Sequence, residues 1–122
     1  MSEEFSQIED FHAYAKLEGI NKKYFLNKLN IFLGRDVSKD EDPNEQIIFL
    51  ADSQKISRKH AKIYWDSDQC CWFIQNLSKN KTIVNGKSLK KDDPPFQLIP
   101  QSAIRIDRIK FYFFPAFEEK KY

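Results

Sequence analysis

The sequence predicts an all-β sandwich with functional loops gathered at one end, and three observations carry that reading. Apolar residues fall in short, largely alternating segments closed by glycine, proline, asparagine or aspartate. No stretch of about ten or more residues repeats apolar positions at helical spacing. Hydrophobic residues make up 41% of the 122, with 11 Phe among them, enough for one core without disulfide or metal staples. Roughly eight to eleven strands at such spacing make a sandwich.

Along the chain, "AYAKLEG" (13–19), "KYFLN" (23–27) and "LNIFLG" (29–34) open the strand series. "QIIFL" (46–50) follows the loop "DVSKDEDPNE", whose Asp, Ser, Pro and Asn disfavour regular structure. In "HAKIYW" the period of two puts Ala61, Ile63 and Trp65 on one face and His60, Lys62 and Tyr64 on the other. "DSDQ" (66–69) turns the chain into "CCWFIQNL". After the polar loop "SKNK" comes a short apolar step, "TIV", and then Asn85-Gly86, a turn dipeptide whose residues both tolerate positive φ. "DDPPFQLIP" is a proline-bounded loop and edge segment. "SAIRI" and "IKFYFF" close the chain around Asp107-Arg108, with Ile109, Phe111 and Phe113 sharing one face. Residues 1–11 and 116–122 read as flexible termini around one domain spanning 12–115.

Several function classes are disfavoured by composition. No apolar run approaches the roughly 20 residues that span a bilayer, and the start "MSEEFSQIED" is acidic, unlike a signal peptide. A formal charge of +2, from 20 Lys plus Arg against 18 acids, is small for a domain that coats nucleic acid. Cys70 and Cys71 are adjacent, so they bridge only with strain, and two thiols cannot close a metal site; they read as reduced intracellular thiols.

Three polar loops each lie just beyond a strand: Gly34-Arg35, then Ser57-Arg58-Lys59-His60, then Ser78-Lys79-Asn80-Lys81-Thr82. A strand ending in Gly-Arg brings its backbone close to a ligand and projects one guanidinium, whose fork suits a phosphate or carboxylate. A serine hydroxyl and an asparagine amide beside it are neutral donors that orient a charged acceptor. Such a grouping works without proton transfer, as a binding constellation.

"GR", "SRKH" and "SKNKTIVNG" in this order resemble the forkhead-associated (FHA) domain, whose pattern is Gly-Arg, Ser-x-x-His, and an Asn-containing loop followed by Asn-Gly. The resemblance runs from about Ala13 to Pro115. "AYAKLEG" and "PPFQLIP…IKFYFF" are most similar to the subtype found in forkhead transcription factors and their relatives. The resemblance implies an eleven-stranded β-sandwich that binds phosphothreonine in a partner protein, needs no cofactor or metal, and works in the nucleus. It places Arg35 and Ser57 as central phosphate ligands, Arg58 as a further donor, and Asn80 on the peptide backbone with Lys79 beside it. Lys55 falls where family members read the side chain three residues after the phosphothreonine. Gly34, His60, Thr82, Asn85 and Gly86 support the loops. Two positions depart from the family. Lys81 stands where glycine is usual, which implies strain if φ must be positive there and adds a cation beside the groove. Asp107-Arg108 replaces a common glycine, which implies a longer turn.

Other readings compete. Ser57 and His60 suggest a hydrolase pair, but no nucleophile-elbow glycines and no orienting carboxylate accompany them. Asp36, Asp40, Glu41 and Asp42 lack the spacing and central glycine of an EF-hand. Lys55, Arg58, Lys59, Lys62, Lys79 and Lys81, with Tyr64 between, form an alternative nucleic-acid patch. A domain that keeps the fold and binds partners through a sheet face is the remaining alternative.

Overall fold

The computed structural model describes residues 13–35 and 42–116. The proposed terminal segments, apart from Ala116, lie outside the described residues, as do His12, Asp36, Asp40 and Glu41. Eleven strands and no helix occur among the described residues. They are β1 (Ala15–Glu18), β2 (Lys23–Leu26), β3 (Asn30–Gly34), β4 (Gln46–Phe49), β5 (Ala61–Asp66) and β6 (Cys71–Asn76). β7 (Thr82–Val84), β8 (Lys87–Leu89), β9 (Phe96–Leu98), β10 (Ser102–Ile106) and β11 (Ile109–Pro115) complete the series.

The strands form two sheets, ordered β2-β1-β11-β10-β7-β8 and β4-β3-β5-β6-β9. β3 and β4 run parallel, which requires the long polar connection between Gly34 and Gln46. The proline-bounded segment supplies β9, an edge strand on β6, as its prolines predict.

Alternation explains the core. Ile31 and Leu33 of β3, Ile63 of β5, Ile74 of β6, Ile104 of β10 and Phe111 and Phe113 of β11 are buried between the sheets. Each such side chain contributes roughly 1.5–3 kcal/mol when removed from water. Trp72 crosses the sandwich to Phe113, with centroids 5.8 Å apart at an interplanar angle of 66°.

Two turns carry backbone geometry that their residues explain. Asn85 (φ 51°) and Gly86 (φ 83°) have the paired positive φ of a type I′ hairpin between β7 and β8. The β10–β11 turn corrects the expectation of a longer loop. Ile106 pairs with Ile109, leaving only Asp107 and Arg108 as the loop, and Asp107 takes the positive φ (57°) that glycine supplies elsewhere. Aspartate tolerates that region better than most residues, so the tight turn survives without glycine.

His60 corrects the strand reading as well. Strict alternation puts it outward with Lys62 and Tyr64, yet it is fully buried. β5 begins only at Ala61, so the chain is already turning at His60 and the period of two does not reach it.

Register fixes which loops meet. β3 ends at Gly34, antiparallel β5 begins opposite at Ala61, and β6 ends beside Ala61 at Asn76. All three polar loops therefore leave the same end of the sandwich. An apolar cleft of about 450 Å³, lined by Tyr14, Leu29, Trp65, Trp72 and Ile99 among others, opens at the other end.

Candidate functional site

The segment Lys55–Ser57 organises the loop cluster through three consecutive carbonyls. Lys55 O accepts from Asn80 Nδ2 (2.9 Å), Ile56 O from Arg35 Nε (2.7 Å), and Ser57 O from Arg35 N (3.1 Å). All three sequence-predicted loops are thus tied to one short stretch. Ile56 holds that stretch down, since its side chain is fully buried while Gln54, Lys55 and Arg58 on either side are exposed. A lone isoleucine inside "SQKISRK" was the available signal for this anchor.

Gly34 allows the first two loops to meet. A Cβ there would fall 2.5 Å from Ser57 O and closer still to Arg58 O. Its φ is not positive, so close approach and not turn geometry demands glycine. His60 clamps the second loop to the third. Ser57 N donates to His60 Nδ1 (3.1 Å), which leaves Nε2 as the protonated nitrogen, and that nitrogen donates to Lys81 O (3.3 Å). Burial lowers the imidazole pKa below its usual value; the carbonyls of Lys81 and Asn80, and Asp107, oppose that shift. The ring is therefore a neutral spacer.

Ser57 Oγ lies 2.6 Å from Ser78 Oγ, which also accepts from Asn80 N (2.9 Å). The arrangement is not a nucleophile–base pair: His60 engages the amide of Ser57, and the hydroxyl turns to a second serine.

Asn76, absent from the sequence-derived site, is the buried hub beneath the third loop. Its Nδ2 lies 3.1 Å from Ser78 O, 3.1 Å from Asn80 O and 3.0 Å from Leu89 O, while Oδ1 accepts from Thr82 Oγ1 (2.9 Å). The signal was its parity: it follows Trp72 and Ile74 on the inward face of β6, where a polar residue needs partners.

Arg58, Lys55, Lys79 and Lys81 are exposed around this cluster. Lys81 has no positive φ, so the strain anticipated for lysine at that position does not arise. A depression of about 480 Å³ adjoins Lys55, lined also by Ser53, Gln54, Asp107 and Arg108. Asn85 and Gly86 form the β7–β8 turn, and Asn85 is bound to Ala103 through its amide (2.8 Å) and side chain (2.9 Å), fixing the register of β7 on β10.

A β-sandwich presenting Gly-Arg, Ser-x-x-His and an Asn loop on one end defines a class of recognition domain, and comparison with known proteins agrees. The FHA domain family matches residues 31–107, and the chain belongs to that family. It is 32% identical over 101 residues to the transcriptional activator FHA1 of Nicotiana tabacum, covering 83% of this chain and 48% of that protein. It is 27% identical over 107 residues to fork-head transcriptional regulator 2 of Candida albicans, with 83% and 16% covered. The chain thus spans under half the length of these relatives. The structure of the MEK1 FHA domain in complex with the HOP1 pThr318 peptide shares the fold, with a TM-score of 0.66 and 21% identity over 86% of this chain and 99% of that one.

Proposed function

We propose that this domain binds phosphothreonine in a partner protein, with Arg35, Ser57, Arg58, Lys79 and Asn80 lining the site and residues 12–115 forming the module. The single observation that carries this reading is the anchoring of Arg35, Ser57 and Asn80 to the one segment Lys55–Ser57. Arg35 Nε is committed to Ile56 O, which orients the guanidinium and leaves its Nη groups as the part of the fork that meets an anion. Ser57 Oγ and Asn80 Oδ1 then serve the phosphate and the peptide backbone.

A phosphothreonine brings about −1.5 to −2 charges and three strong acceptors. Hydrogen bonds to charged groups are worth roughly 1.5–3 kcal/mol each. Three or four of them, reduced by the cost of ordering the ligand, suffice for micromolar affinity, about 8 kcal/mol. Lys55, beside the adjoining depression, and Lys81 tune the residues accepted around the phosphothreonine. The engagement of His60 by backbone on both ring nitrogens supports a binding role over a catalytic one. The kinship with transcriptional regulators supports a nuclear setting.

The test is an anisotropy titration with phosphothreonine, phosphoserine and unphosphorylated peptide pools. Micromolar binding to the phosphothreonine pool, lost in Arg35→Ala with the fold unchanged by circular dichroism, is expected. Retained affinity in that variant would sink the assignment.

A further inference from the structure

We infer that the outer face of the β3-β5-β6 sheet, beginning at Lys59 beside Arg58, docks an acidic tract of the phosphorylated partner. The inference rests on the phosphothreonine reading and extends its ligand.

Phe32 points outward from β3, between the buried Ile31 and Leu33, and is the cross-strand partner of Lys62. The Lys59 ammonium sits 4.6 Å from its ring centroid and the Lys62 ammonium 5.7 Å from the same centroid. Lys62 also lies 5.3 Å from the Tyr64 ring, which stacks on Phe73 at 5.8 Å. Two like charges sharing one ring repel each other. Among the described residues the single ion pair is Lys16–Glu18, so neither lysine is ion-paired to a described carboxylate. Asp66, at the far end of the same face, is committed to its own turn, accepting from the amides of Asp68 and Gln69.

An anion on this face meets both ammonium groups, and that charge complementarity selects the occupant. Continuity supplies the rest: Lys59 follows Arg58 directly, so a chain leaving the phosphate loops reaches this strip at once. Single-stranded nucleic acid is the competing occupant of an aromatic and basic face. It is disfavoured because ammonium groups already cover the faces of Phe32 and Tyr64 on which bases would stack.

The test compares one phosphothreonine peptide with neutral flanks against the same peptide extended by an aspartate/glutamate tract on either side. The tract alone, unphosphorylated, is titrated in parallel by NMR. On at least one side, the extension is expected to tighten binding about five- to tenfold at low salt, with the gain fading as salt screens exposed charges. Lys62→Glu, and the milder Lys62→Gln, are expected to remove most of the gain while changing the neutral peptide by less than about twofold. Shifts at Phe32, Lys59, Lys62 and Tyr64 with the unphosphorylated tract support the docking face even if no phosphopeptide binds, which separates its fate from that of the phosphothreonine reading. Three results overturn it: no gain from either extension, a gain that both variants keep, or an oligonucleotide of equal charge binding these residues more tightly than the tract.

Discussion

A methyl group on Gly34 has nowhere to go, because the atoms it meets are backbone carbonyls of Ser57 and Arg58 and not the yielding tip of a side chain. Gly34→Ala is therefore expected to cost about 1–3 kcal/mol. The Ser57–Arg58 peptide must move to admit it, so phosphopeptide affinity falls with stability; urea denaturation and peptide titration check the two losses together. Lys81 argues the opposite case. Its φ is already that of an ordinary L-residue, so restoring the family's glycine relieves nothing and adds unfolded-state freedom. Lys81→Gly is expected to leave the domain no more stable, and up to about 1 kcal/mol less so. A raised denaturation midpoint would show that the lysine is strained after all.

Between residue and molecule, the third loop is held by a strand end. Asn76 finishes β6 inside the sandwich, and its side-chain amide meets three carbonyls that would otherwise be left without it. Asn76→Ala is expected to destabilise by about 3 kcal/mol or more, since each buried group left unsatisfied costs about 1–3 kcal/mol. Faster amide exchange at Asn80, whose carbonyl loses the Asn76 contact, is the local readout. This hub shows why the sequence was legible only in part. Strands, faces and loop motifs are local patterns, and Arg35, Ser57 and Asn80 could be read from their order along the chain. Asn76 and Ser78 act through partners on other strands and loops, and His60 is buried by a bend that ends the alternation. The tight turn at Asp107 was missed because an aspartate accepts the φ that glycine usually provides.

At the scale of the molecule, pH acts on the ligand and on the fold through two different groups. The phosphate takes its second proton near pH 6, about −2 becoming −1, and the proposed Arg35 site is expected to prefer the dianion. If only the dianion binds, affinity at pH 5.5 is about fourfold below that at pH 7.5. His60 acts on the fold itself. Its pKa in the folded domain is lowered by burial from the ordinary 6.5, so above that value both states are neutral and stability is complete. As pH falls below it, the unfolded chain takes up a proton that the buried ring refuses, and stability drops until the folded pKa is passed. One proton sets a limiting slope of about 1.4 kcal/mol per pH unit. The chain holds only two histidines, so His12→Gln leaves His60 as the only one. Urea midpoints of this peptide-free variant at pH 7.5, 6.5 and 5.5 should fall only on the acid side of about 6.5. A flat profile would mean that His60 accepts a proton as easily folded as unfolded. The clamp from Ser57 N to Lys81 O would then not depend on a neutral ring, and any acid loss of affinity would belong to the phosphate alone.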